Sequence, residues 1–322
     1  MRKIHSGFGG APAPHFIAAV VAAAVAAAMA VIVVAFGLAA TVASAQQRNF
    51  DDVEIVTHQV SDTVYMLAGA GGNIGASVGP DGIFLIDDQY APLTDKILAA
   101  LARISDQDVR FLINTHIHPD HVGGNENLGR LGVTIVGHDS IRIRLAAGVF
   151  SNPPAPPIAL PVITFKDRVT FHLNGEAAHA IKLPNGHTDG DTIVHFTGSD
   201  VIHTGDMFRT TSFPVIDTRH GGTFRGTLQA LDQVIALAGP ATKIIPGHGG
   251  VTDRAMVQTF RAMVATIGHR VQALIDDGQS LEQVVAAKVT ADYDERWDFR
   301  PGFFITKDDF VATIYTELKG GA

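Results

Sequence analysis

"THIHPDHVGGN", residues 115–125, decides how the rest of the chain is read. His116, His118, Asp120 and His121 fall within six positions, with Pro119 among them and Gly123 and Gly124 just after. The stretch follows "VRFLINT" (109–115), which reads as a buried strand. In extended backbone, side chains two apart point to the same side, so His116 and His118 can bind one ion together. Pro119 and the following loop turn the chain, and Asp120 and His121 can then face a second position. Neutral imidazole and carboxylate both suit zinc. The glycines let the backbone turn close to the site. A single histidine of this kind would be an ordinary surface residue, but four ligand-type residues in six positions need another explanation.

Two ions need further ligands, and three later stretches offer them. "NGHTDGD" (185–191) carries His187 on a turn, "VIHTGDMF" (201–208) carries Asp206 after an apolar strand, and "IIPGHGG" (244–250) carries His248 after another. Each repeats the grammar of the first stretch: a buried strand, a nearby glycine, a ligand-type residue. His138, His172, His179, His195 and His203 fit no ligand pattern and read as core or surface histidines.

The chain has 322 residues, 46% of them hydrophobic and 17% charged, which is a globular composition long enough for a sizeable core. The net charge of −8 comes without a basic stripe, so nucleic acid is not an expected partner and a small-molecule substrate is. There is no cysteine, which excludes disulfides and every thiolate metal site. The N-terminus begins with Arg2 and Lys3, continues as an apolar Ala/Val run from Phe16 to Ala40, and reaches a small-x-small site at Ala43-Ser44-Ala45. That order is a secretory signal over residues 1–45, with a membrane partner only if the segment stays uncleaved as an anchor. Either way a periplasmic or secreted location is expected. Oligomeric state is left open.

Strands are expected at 63–69, 73–79, 83–87, 109–115, 133–137, 161–165, 168–173, 178–183, 192–197, 200–204 and 243–247. Residues 46–60 read as an extended lead-in. Helices are expected at 92–104 (with Thr94 as N-cap), from Asp139, at about 224–238, over 252–278, and twice in the tail, in "SLEQVVAAKV" and "TKDDFVATIYTEL". The order suggests two strand-and-helix halves packed sheet to sheet with helices outside. The tail, with Trp297, Phe303, Phe304 and Tyr315, is expected to pack on the sandwich, with a pocket cap or a subunit contact as the other options.

His116-x-His118-x-Asp120-His121, followed by His187, Asp206 and His248, resembles the metallo-β-lactamase superfamily from about residue 53 to 278. The resemblance implies an α+β fold, a four-layer αββα sandwich over 46–278, with a short C-terminal helical extension over 279–322. It implies two zinc ions per chain. The first would take His116, His118 and His187, the second Asp120, His121 and His248, and Asp206 would bridge them. Asp87 matches a buried aspartate that supports the metal loop from behind. Without cysteine, the ligand set looks like that of the glyoxalase II-type and lactonase-type hydrolases, and His118, where di-iron relatives carry glutamate, favours zinc.

A water shared by two such cations is the implied nucleophile, with Asp120 as the catalytic residue that orients it and passes on its proton. "GAGGNIG" (69–75) resembles the mobile hairpin beside the site in lactamases, and 207–222 should line the pocket. There Arg209 is a candidate grip for a substrate carboxylate and His220 a candidate substrate contact. The expected function is an exported binuclear zinc hydrolase, with β-lactamase-like opening of a cyclic amide or ester named first and thioester, lactone or phosphodiester hydrolysis as alternatives. A non-catalytic metal- or ligand-binding protein is the rival of another class. It is disfavoured because structural zinc sites are closed and usually rich in thiolate.

Overall fold

In the strand Gly82–Ile86, Ile83 and Leu85 face one core while Phe84 and Ile86 face another, and all four are buried. Such two-faced strands belong in the middle of a layered molecule, since successive side chains alternate sides. The computed structural model describes residues 49–150, 152–300 and 303–320. Among these, seven strands form a first sheet in chain order: β1 (Val56–Gln59), β2 (Val64–Ala68), β3 (Ile74–Gly79), β4 (Gly82–Ile86), β5 (Val109–Asn114), β6 (Thr134–His138) and β7 (Ile163–Phe165). The first four pair antiparallel, and β4 to β7 run parallel.

The second sheet has six strands: β8 (Arg168–Leu173), β9 (Glu176–Lys182), β10 (Thr192–Phe196), β11 (Val201–His203), β12 (Lys243–Ile245) and β13 (Thr252–Asp253). It is antiparallel apart from the parallel β11–β12 pair. Phe84, Ile86, Ile113 and Val136 of the first sheet meet Phe171, Val194, Phe196, Val201 and Ile245 of the second in one apolar layer. The outer face of the first sheet is covered by α1 (Thr94–Leu101) and α3 (Asn125–Arg130), through Ile97, Leu101 and Leu128. The outer face of the second is covered by α5 (Phe224–Leu237), α6 (Arg254–Asp276), α7 (Leu281–Ala286) and α9 (Lys307–Gly320). Two further helices, α2 (Pro119–Val122) and α4 (Asp139–Ala147), flank the opening stretch, and α8 (Asp294–Trp297) lies in the tail. This is the four-layer αββα sandwich, two mixed sheets between helices.

The tail is part of this core. Trp297 and Phe310 are almost fully buried. Trp297 packs edge-on against Phe260 at 5.1 Å, and Phe310 stacks on Phe213 at 5.6 Å. The lead-in contains a strand, β1, whose mostly exposed residues hide its signal. Thr94 does not cap α1. The chain enters that helix from a tight turn at Ala91–Leu93, so Leu93 already has helical backbone and the Thr94 hydroxyl donates to the Ala91 carbonyl instead. The expected signal segment, residues 1–45, lies outside the described residues. Among the described residues no helix is long and apolar enough to cross a membrane.

Because Phe310 is interior, Phe310→Ala should cost about 3–5 kcal/mol, the usual range for emptying a buried aromatic position. A urea midpoint that falls with an unchanged slope would bear this out. A midpoint within error of wild type would mean that the tail is peripheral.

Candidate metal centre

The residues singled out in the sequence come together at the ends of four strands. Asp87 follows β4, and Thr115 to His121 follow β5. Asp206 lies just past β11, and His248 just past β12. The pairs β4–β5 and β11–β12 are each parallel, so the members of each pair deliver their loops to the same sheet end. His187 arrives on the loop between β9 and β10.

Asp87 organises the first of these loops. It is fully buried and holds a left-handed backbone with φ of 63°. Its Oδ1 accepts from the Thr115 backbone N–H at 2.7 Å, and its Oδ2 accepts from the Thr115 hydroxyl and from His121 Nδ1, each at 2.7 Å. The Thr115 hydroxyl, having donated to Asp87, is left to accept from His116 Nδ1 at 3.0 Å. Both imidazoles therefore carry a hydrogen on Nδ1, which leaves Nε2 of each as the nitrogen able to bind a metal.

Two more rings are oriented by acceptors in the same way. His187 Nδ1 lies 2.7 Å from the Val215 carbonyl, which can only accept. His118 Nε2 lies 2.9 Å from Asp217 Oδ2. The remaining nitrogens, His187 Nε2 and His118 Nδ1, then face each other as lone pairs 3.1 Å apart. Such an arrangement is repulsive unless a cation sits beside both. Asp206 Oδ1 lies 3.2 Å from both His121 Nε2 and His248 Nε2. Asp120 Oδ2 lies 3.4 Å from His248 Nε2 and 3.9 Å from His121 Nε2. His116 Nε2, His121 Nε2 and Asp206 Oδ1 are buried without a well-aligned hydrogen bond, the last two lying 3.2 Å from each other. Buried polar atoms are rarely left so, and three around one point fit a metal centre.

Two groups of donors result: His116, His118, His187 and Asp206, and beside them Asp120, His121 and His248, each with its atoms within 4.8 Å of one another. A third grouping of Asp87 with His116 and His121 involves a carboxylate whose oxygens are already occupied by Thr115 and His121. Asp87 is therefore placed behind the donors, with its oxygens taken up by Thr115 and His121. Neutral imidazole and carboxylate suit zinc, in one or two positions.

Electrostatics agree with this donor set. Burial, with His187 beside it, holds His118 down to about 4, so it is neutral at neutral pH. Burial and the neighbouring imidazoles push His116 well below its usual range too. His121 goes the other way: burial opposes its charge, but Asp206, Asp87 and Asp120 outweigh burial and raise it strongly. A proton on His121 would thus be the stand-in for a cation, and a metal ion competes with it directly. For Asp206, burial works upward, and His248, Arg209 and His121 overcome it and hold the carboxyl far below its usual range.

Backbone closes tightly around these groups. A Cβ on Gly72 would fall 2.1 Å from the His121 ring, and one on Gly247 would fall 2.1 Å from Asp206 Oδ1. The "GAGGNIG" loop is tied down on both sides, unlike the free hairpin expected. Gly72 N–H donates to Asp120 O, and Gln89 Nε2 donates to Gly72 O. Asn73 bonds Gly247 O through its backbone and Pro246 O and Gly249 O through its side chain. Arg209 is also not where a free grip would be. It is buried, its guanidinium donates to Asp206 Oδ2 at 2.9 Å, and its backbone bridges to His248. His220 stands at the rim, with Nδ1 2.6 Å from Asp217 Oδ2.

Two supporting carboxylates escaped the sequence reading. Asp191 accepts from the backbone N–H groups of Gly186, His187 and Thr188 and from the Thr188 hydroxyl, which shapes the turn that presents His187. An aspartate four residues after a histidine in a glycine turn was a readable signal. Asp217, 99 residues from His118, carried none.

The family model described as the Metallo-beta-lactamase superfamily matches residues 76–248. The hydroxyacylglutathione hydrolase of Brucella anthropi is 31% identical over 165 residues, 49% of this chain and 54% of that protein. The linear primary-alkylsulfatase of Pseudomonas sp. is 22% identical over 228 residues, 57% of this chain and 43% of that protein. The chain thus spans about half or less of the length of the curated relatives it matches. Among solved structures, a metallo-beta-lactamase from Pontibacter korlensis superposes with a TM-score of 0.57 at 19% identity, covering 66% of this chain and 99% of that one. A stereoselective inverting sec-alkylsulfatase from Pseudomonas sp. reaches 0.65 at 15% identity, covering 82% and 50%. At these identities the structures speak for the fold alone.

If Asp87 sets the two Nε2 atoms as the metal-binding nitrogens, Asp87→Asn should weaken metal binding about 10–100-fold, the usual cost of losing such a support. Competition with a chromophoric chelator measures this, with far-UV circular dichroism as the folding control. Unchanged affinity in the variant would contradict the role assigned to Asp87.

Proposed function

The chain belongs to the metallo-beta-lactamase superfamily, and on that premise we propose that it is an exported binuclear zinc hydrolase acting on an uncharged acyl ester, lactone or thioester. The observation that carries this reading is the convergence of ring nitrogens from His116, His118, His121, His187 and His248 with the carboxylates of Asp120 and Asp206. In this reading His116, His118 and His187 hold one ion, Asp120, His121 and His248 hold the other, and Asp206 lies between them. When bound, a zinc pair supplies an activated water and polarises the scissile carbonyl. The protein's own groups do the rest. Asp120 and His248, with side chains 20% and 23% exposed, form the open side of the cluster, while the Asp206 and His121 side chains close its floor. Asp120 is the carboxylate placed to orient the attacking water and to carry its proton to the leaving group.

The choice of substrate class turns on Arg209. Opening a β-lactam was the first expectation from the sequence, with Arg209 gripping the substrate carboxylate. With Arg209 buried against Asp206, its charge is spent on holding that carboxylate, which favours substrates without an anionic handle. The likeness to hydroxyacylglutathione hydrolases, together with a ligand set that includes Asp206 and lacks cysteine, supports ester-type and thioester chemistry. β-Lactam hydrolysis remains the second reading. Export rests on the composition of residues 1–45. A purely structural metal role is disfavoured by the partly exposed Asp120 and His248, which leave one side of the cluster open, since structural zinc sites are closed.

Metal content and turnover together test this reading. Two zinc ions per chain, hydrolysis within a panel of a lactone, an acyl thioester, a simple ester and nitrocefin, and collapse of that activity in Asp120→Ala are expected. Bound zinc with no turnover on the whole panel, or turnover indifferent to Asp120→Ala, would sink it. Arg209→Met should destabilise the protein by about 3–5 kcal/mol, the usual effect of stripping one partner from a buried ion pair. It should also depress turnover of charged and uncharged substrates alike. A KM rise confined to carboxylate-bearing substrates would instead make Arg209 the grip.

A further inference from the structure

Phe150 breaks two rules at once. It is a large apolar side chain left 40% exposed, and its backbone is left-handed, with φ of 52°. For a bulky residue that conformation is strained, and such outliers gather where function over-determines the backbone. The surroundings are not loose. Gly148, with φ of 88°, reverses the chain just before it. Val149 is buried in an apolar cluster with Ile117, Leu145 and Leu160. Asn152 N–H donates to Val149 O and Ala155 N–H donates to Leu145 O, each at 2.9 Å. Val149 and Asn152 are thus held in place, while the Phe150 ring stays partly exposed.

Its neighbours are imidazoles. The Phe150 ring lies edge-on to His118, with centroids 4.9 Å apart, and 4.5 Å from the ring of His220. His118 is one of the converging donors, so the aromatic ring stands one side chain away from the metal centre. His220 is held in place by Asp217, whose Oδ2 accepts from both His220 Nδ1 and His118 Nε2. Asp217 Oδ2 is thus hydrogen-bonded by both imidazoles, and the wall facing the site offers an aromatic face and an imidazole edge. Exposed aromatic surface beside a catalytic centre gains by being covered with hydrocarbon.

We propose that Phe150 is a specificity-determining residue, whose ring, steadied by His220, seats an alkyl or aryl group that the substrate carries next to the bond being cut. This rests on the hydrolase reading above. It adds that the preferred ester or thioester is lipophilic on at least one side of the reacting carbonyl.

The test is a selectivity ratio, measured by pH-stat on the zinc-loaded full-length protein. The substrates are ethyl acetate, ethyl hexanoate and hexyl acetate, with the matching S-ethyl and S-hexyl thioesters. In wild type, kcat/KM should favour a hexyl- or hexanoyl-bearing member over ethyl acetate. In Phe150→Ala that ratio should fall about tenfold or more, since an apolar pocket discriminates roughly this much for even one methylene. Phe150→Leu should keep most of it. Phe150→Gly is the second variant, because glycine accepts the left-handed backbone without strain and should fold at least as well. It should lose selectivity as Phe150→Ala does. Ratios unchanged in both the alanine and glycine variants overturn the apolar seat while leaving the hydrolase reading intact. No turnover of any member by wild type overturns the hydrolase reading and this proposal together.

Discussion

The carboxylate of Asp87 is the contact on which the centre depends. It sits at the end of a strand buried on both faces, in a backbone conformation that aspartate tolerates better than most residues. It receives two hydrogens from Thr115 and one from His121. Through the Thr115 hydroxyl its influence reaches His116. One buried side chain thus decides which nitrogen of two imidazoles looks inward. Val215 O and Asp217 make the same choice for His187 and His118.

Bringing these atoms together has a cost that the rest of the fold must carry. Lone pairs of His118 and His187 face each other, and buried atoms of His116, His121 and Asp206 lack well-aligned hydrogen bonds. A chain without cysteine has no disulfides to offset this and relies on its packed core. The apolar layer between the sheets and the aromatic stack of Phe213, Phe260, Trp297 and Phe310 supply it. Bound cations would turn the unfavourable contacts into favourable ones, so metal binding and stability are coupled. Asp206 is the exception that is compensated without metal, because Arg209 lies against it.

The sandwich was legible in the chain because its central strands are short apolar runs and its helices carry periodic apolar faces. The donors were legible because each follows such a strand and several are crowded into "THIHPDHVGGN". What escaped lies where local pattern carries no information. Strand β1 is mostly exposed, so neither alternation nor a buried run marks it. The turn ahead of α1 removes the break in the backbone that a capping Thr94 would need. Arg209 looked free because its pairing with Asp206 depends on a buried turn. Asp217 meets His118 only once both sheets are assembled, and Phe150 comes to stand over the same histidine by way of a strained loop.

Anomalous scattering at the zinc edge, from crystals of protein purified with zinc, would locate the ions themselves. Two peaks per chain are expected. One is bounded by His116 Nε2, His118 Nδ1 and His187 Nε2, and the other by Asp120, His121 Nε2 and His248, with Asp206 between them. A single peak, or coordination through His116 Nδ1 or His121 Nδ1, would be incompatible with this arrangement, because Asp87 and Thr115 hold those nitrogens away from any metal.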